Sequence, residues 1–241
     1  MSRFETTRWS VVLRARGDAA DARAALEALC RTYRPPVLAY IRRQGHHGDS
    51  AEDLTQAFFA RFLEQGYHAS ADPSRGRFRA LLLTALRRFL INAGVEARTA
   101  RRGGGIRFEP IDEDAALAGG ETPEQAFDRA WAAAVLGAAL RRLRSEADQA
   151  GKRELFLQLH PFITEAPDES DYARVAAALG LRRNTLAVAV HRLRHRLREL
   201  VREELADTAG NRDELAQEIR ELRGAFGKAG APEPVIDGDG S

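Results

Sequence analysis

Hydrophobic positions recur along this chain near a helical period, and no sustained alternation or Asn-Gly or Asp-Gly hairpin joins β-branched runs. Helices and no strands are predicted. From Asp21 to Gln44, Ala25, Leu26, Leu29, Tyr33, Val37, Leu38 and Ile41 form one face, with Pro35-Pro36 expected to kink or break the helix. Ser50 to Gln65 begins with Ser50 and Asp53 in capping-box relation and aligns Leu54, Phe58, Phe59, Phe62 and Leu63. Arg77 to Glu96 directs Phe78, Leu81, Leu82, Ala85, Leu86, Phe89 and Leu90 toward a core and carries its arginines at other phases.

Gly103-Gly104-Gly105 and the acidic run to Pro123 read as a flexible linker. A second helical set starts near Thr122, with Pro123 suited to a first helical turn. It continues through Ala130–Leu143 and Arg153–Leu159, then through Asp171–Leu179 and roughly Asn184–Leu205. An amphipathic piece, Arg212–Phe226, precedes a Gly/Pro/Asp tail expected to lack order. The fold class predicted is all-α: two small helical domains, 1–102 and 122–205, joined by an acidic linker at 103–121 and followed by an extension at 206–241. A length of 241 residues fits two domains of about 100 to 200 residues or fewer.

Composition narrows the class. Hydrophobic residues make up 44% and charged ones 30%, the balance of a globular protein. The longest apolar run, Ala130–Leu140, falls short of the roughly 20 residues that span a bilayer. Met1–Trp9 has no apolar core of a secretory leader, so a cytoplasmic protein is expected. The single Cys30 excludes an internal disulfide or thiolate cluster. Net charge is only +2, but its distribution is uneven. Between Arg75 and Arg102 eight arginines face one acid; Phe108–Asp128 holds seven acids and no base; Asp171–Leu205 holds eight arginines against four acids. Only Lys152 and Lys228 are lysines, a bias that fits either a GC-rich genome or arginine's bidentate donor fork.

The strongest local signal is Asp171–Arg194. Tyr172, Val175, Ala176 and Leu179 give a first helix one apolar stripe, Gly180 supplies a left-handed stop, Leu181 is expected to plug the corner, and Asn184 to cap a second helix with Leu186, Val190, Leu193, Leu197 and Leu200 on one face. This is a helix-turn-helix pattern. Its second helix would present Arg182, Arg183, Asn184, Thr185, Ala187, Val188, His191 and Arg192 to the major groove. Arg and Asn are the residues that bind guanine and adenine edges bidentately. Arg192, Arg194, Arg196 and Arg198 suit phosphates. The competing reading is a pair of amphipathic helices with a solvated basic face.

With two basic regions flanking an acidic linker, the chain resembles the extracytoplasmic-function group of the bacterial RNA polymerase sigma-70 family. Ser50–Leu63 looks like the polymerase-docking helix, Gly76–Asn92 like the helix that serves promoter melting and −10 recognition, and Tyr172–Leu200 like the helix-turn-helix that reads the −35 element. Thr6–Ser10 and Val188–Arg194 are similar to a subgroup. The resemblance implies core RNA polymerase and promoter DNA as partners and no cofactor. Glu52, Asp53, Gln56 and Arg61 would face the polymerase; the loop Ala69–Arg75 would take an unstacked base; Arg75, Arg77, Arg79, Arg87, Arg88 and Arg98 would contact −10 DNA, chiefly through phosphates. The chain departs from its relatives where they carry an indole within Phe78–Leu83, and at Ala187, Val188 and Ala189, where polar residues are common.

Thr55 is a candidate phosphorylation site: a phosphate beside Glu52 and Asp53 would add charge near a helix start. The alternative is a hydroxyl bonded back to the preceding turn. A Ser/Thr kinase or an anti-sigma protein is a candidate controlling partner. His46, His47 and Asp49, and the pair His191 and His195, lack the further ligands of a metal site. Arg102–Gly105 lacks the ending of a phosphate loop, and no catalytic triad or carboxylate pair stands out, so no enzyme is expected. Two other classes compete with an initiation factor: a helix-turn-helix regulator that works without polymerase, and an all-helical adaptor for acidic proteins.

Overall fold

A computed structural model describes residues 20–64, 78–101, 120–165, 168–209 and 211–227. Among them lie eight α-helices and no strand: α1 (Ala20–Arg43), α2 (Gly48–Glu64), α3 (Phe78–Arg101), α4 (Pro123–Gln149), α5 (Arg153–Leu159), α6 (Glu169–Leu179), α7 (Arg183–Ala206) and α8 (Arg212–Gly227), with a 3-10 turn at His160–Ile163. The all-helical expectation holds. None of the described helices is long and apolar enough to cross a membrane. The opening Thr6–Ser10, the loop Ala69–Arg75, Arg77, the linker from 103 to 119 and the tail after Gly227 fall outside the described residues.

The break expected at Pro35-Pro36 does not occur, and α1 runs through both. An interior proline costs about 3 kcal/mol. Leu29, Tyr33, Val37 and Ile41 are fully buried along the same helix, and each such side chain contributes about 1.5–3 kcal/mol, so packing outweighs the loss. Ser50 is not the cap of α2, which starts at Gly48. Nor does Asn184 cap α7: that helix starts at Arg183, and Thr185 N–H donates to the Arg182 carbonyl at 2.9 Å. Leu181 remains over a third exposed instead of plugging the corner.

The chain forms two compact units, Met1–Ala134 with Ala206–Glu218, and Val135–Leu205 with Ile219–Ser241. Helix α4, expected to open the second domain, therefore begins in the first unit. Thr122 and Gln125 cap its start reciprocally: Gln125 N–H donates to Thr122 Oγ1 at 3.2 Å and Thr122 N–H to Gln125 Oε1 at 2.8 Å.

The first unit is built on aromatic rings. Phe58 meets Phe62 and Phe89 at centroid distances of 5.8 and 5.6 Å, and Phe78 meets Tyr33 and Phe62 at 5.0 and 6.1 Å. These separations suit edge-to-face contact. Phe127 and Trp131 from the start of α4 are buried in the same unit, Trp131 against Arg79 of α3. In the second unit Leu159, Phe162, Val175, Leu186 and Val190 form a core that joins α5, the 3-10 turn, α6 and α7. Asp168 and Asp171 make a capping box at the start of α6, and Gly180, at φ 63°, ends it in the left-handed conformation that only glycine adopts cheaply.

Candidate nucleic-acid interface

In the first unit the apolar stripe of α3 turns Phe78, Leu82, Ala85 and Leu86 inward and leaves Arg88, Ile91, Asn92 and Val95 outward. Ile91 is 65% exposed and Val95 52%. Arg88 makes no ion pair among the described residues, so this face offers a free cation beside an apolar ridge. Ile91, Asn92 and Val95 were missed by a reading that looked for arginines. The signal was a helix whose apolar residues occupy more than one face.

Two of the expected −10 arginines are engaged within the unit. Arg79 is a correction: it is 8% exposed, bonded to Asp128 at 2.8 Å, 3.6 Å from Glu218, and its guanidinium lies 4.2 Å from the centre of the Trp131 ring. It holds the core of the unit and cannot reach a phosphate. Arg87 is half exposed and bonded to Glu124 at 2.8 Å, which also accepts from the Tyr40 hydroxyl at 3.1 Å. Burial raises the Glu124 carboxyl, but the bonds from Arg87, its own backbone and Tyr40 together outweigh that and hold it below its ordinary value. Burial pushes the Tyr40 hydroxyl up. Arg98 lies on α3, where its side chain is not described, and Arg75 and Arg77 fall outside the described residues.

On α2 the expected docking residues are spread around the helix. Asp53 and Gln56 are exposed, Arg61 is half-buried, and Glu52 is taken up by Arg34 at 2.6 Å and Arg42 at 3.3 Å. Such exposed pairs are worth about 0–1 kcal/mol and exchange easily for other partners. Thr55 is the second correction. Its side chain is fully buried and its hydroxyl donates to the Ala51 carbonyl at 2.7 Å, so no kinase reaches it in the folded protein.

In the second unit the start of α7 stands out from the surface. Arg182, Arg183, Asn184, Thr185, Ala187, His191 and Arg192 are exposed, and Val188 is 49% exposed. Leu186 and Val190 pin the opposite face to the core. Arg183 pairs with Glu169, an acid 82% exposed, and lies 6.0 Å from the Tyr172 ring centre. The arginines further along are not free for phosphates as expected. Arg194 donates to the Phe162 carbonyl at 3.0 and 2.7 Å and to the Glu165 carbonyl at 2.8 Å, tying α7 to the 3-10 turn. Arg196 is bonded to Glu146 at 2.7 and 2.9 Å and to Glu199 at 2.9 Å. Those bonds, Glu146 first, raise the Arg196 guanidinium further, and they hold the Glu146 carboxyl below its ordinary value of 4.5.

Glu218 also escaped the sequence reading. It is wholly buried in the first unit, and its place in phase with Leu215, Ile219 and Leu222 on α8 was the available clue.

Taken separately, the first unit is helical with an exposed arginine beside an apolar ridge, and the second is helical with the polar and cationic start of α7 exposed. Residues 29–102 match the family model described as Sigma-70 region 2, which runs from within α1 to just past α3. That match supports the sigma-70 resemblance over the three helices of the aromatic core. No curated protein and no solved structure matched the chain.

Proposed function

We propose that this protein is an alternative sigma factor of the extracytoplasmic-function type, a cytoplasmic, non-catalytic subunit that binds core RNA polymerase and gives it promoter specificity. The observation that carries the reading is the Sigma-70 region 2 match over 29–102, on the same helices whose outer face offers Arg88, Ile91 and Asn92. A cation beside apolar side chains suits an opened strand: the cation meets phosphate, and the apolar atoms meet unstacked bases. Asp53 and Gln56, exposed on α2, are the docking residues best available to polymerase.

The helix-turn-helix would then read duplex at the −35 element. Asn184 and Arg183 can make bidentate base contacts, Arg192 can bind a phosphate, and Val188 can touch a thymine methyl. Arg183 must first exchange Glu169 for DNA, a small cost because both groups are half or more exposed. Purified full-length protein mixed with core RNA polymerase tests the reading. Co-elution in gel filtration and run-off transcripts that start at discrete sites are expected. Duplex binding without co-elution would point to a regulator that works without polymerase, and co-elution without transcripts to an adaptor.

A further inference from the structure

Ala187, Val188 and Ala189 are an odd choice for a helix that reads DNA, and the second unit gives them another use. A groove of about 670 Å³ opens beside α7. Leu143 and Ala147 from α4, Leu155 and Phe156 from α5, and Val188 and Leu193 from α7 line it, so it is mostly apolar. Its volume falls in the range of small-molecule sites, about 300–1,000 Å³. The half-exposed Val188 is where the recognition face and the groove meet.

The charges on the lining are one-sided. Lys152, Arg192 and Arg196 face Glu146 alone. Arg196 is already bonded to Glu146, and also to Glu199 and Glu203. Lys152 and Arg192 are exposed and make no ion pair among the described residues. An apolar trough with two unspent cations complements a molecule that has an apolar body and a negative head.

We propose that this groove binds a small amphiphilic anion, an apolar chain ending in a carboxylate, and that its occupancy excludes DNA from α7. Asn184, Thr185, Val188 and Arg192 line the groove and also belong to the proposed DNA face, so one surface serves both. The exclusion rests on the DNA reading above; the binding site does not. By linkage, whatever the amphiphile takes from DNA affinity, DNA takes from the amphiphile.

The probe is dodecanoate, titrated into the full-length protein by calorimetry below its micelle concentration. One-to-one saturable binding is expected, tightening about fourfold per methylene from octanoate to dodecanoate, which is about 0.8 kcal/mol each. Lys152→Met, which keeps the stem and removes the charge, should weaken dodecanoate at least tenfold and leave random-sequence duplex affinity within twofold. A flat chain-length series, equal binding of dodecyltrimethylammonium, or indifference to Lys152→Met would overturn the site. Saturating dodecanoate should raise the apparent Kd for duplex; an unmoved Kd would overturn the exclusion. Dodecanoate binding by a protein that binds no duplex at all would leave the groove standing and overturn the DNA reading instead.

Discussion

Helices α3 and α7 both bear several arginines, and they use them differently. On α3 the arginine nearest the start, Arg79, is sealed between Asp128, Glu218 and Trp131, and the next, Arg87, is held by Glu124. Among the described side chains of α3, Arg88 makes no ion pair and lies beside the exposed Ile91 and Val95. On α7 the order is reversed: the first two turns project polar and cationic groups outward, while Arg194 and Arg196 are bound to carbonyls and carboxylates. Position in a basic run therefore says little about availability. What decides it is whether an acid or an orphan carbonyl from another helix arrives at the same place.

That contrast can be broken by mutation, the largest effects coming from buried groups. Arg79→Ala leaves Glu218 as a buried acid without its guanidinium, and removing one partner of a buried pair costs about 3–5 kcal/mol. Urea denaturation should show that loss; a change below 1 kcal/mol would return Arg79 to the surface. Thr55→Glu buries a carboxylate where a methyl and hydroxyl pack and should destabilise by several kcal/mol, whereas Thr55→Ser keeps the bond to Ala51 and should cost far less. Equal stability of the two variants would mean that α2 faces solvent at this position.

Effects on α7 should divide along its length. Arg194→Ala removes bonds to the Phe162 and Glu165 carbonyls and should cost about 1.5–3 kcal/mol of stability. Arg192→Ala should leave stability within about 0.5 kcal/mol yet reduce the salt dependence of duplex binding by about one counterion. If Arg192→Ala destabilised the fold and Arg194→Ala did not, the division would be inverted.

The smallest effect is that of pH. Arg196 holds the Glu146 carboxyl below its ordinary value of 4.5, so the stability this contributes is complete above that pH. It is lost as pH falls through the lower value of the folded protein. The melting temperature of the wild type should therefore fall on acidification below about 4.5, and Arg196→Gln should flatten that fall. Parallel acid limbs for the two proteins would contradict the pairing.

Much of the backbone was legible from periodicity, because each helix buries a stripe whose phase shows in the residue order. What escaped depended on contacts distant in sequence. The prolines of α1 were expected to kink or break it, but the helix runs on through them, with Val37 and Ile41 beyond them buried. Arg79 looked like a surface cation because Asp128 and Glu218 lie 49 and 139 residues away in the chain. Thr55 carried both readings in sequence, and burial chose between them. The pair α6 and α7 was readable because its information is local: an apolar stripe, a left-handed glycine and a second stripe within about thirty residues.

Run-off transcription from a library of genomic fragments decides whether this chain, as proposed, brings core RNA polymerase to promoters. Core enzyme with the full-length protein should yield transcripts from a small set of fragments, lost together with Arg88→Ala or with Asn184→Ala. Transcripts identical to those of core enzyme alone, at protein concentrations that saturate DNA, would contradict it.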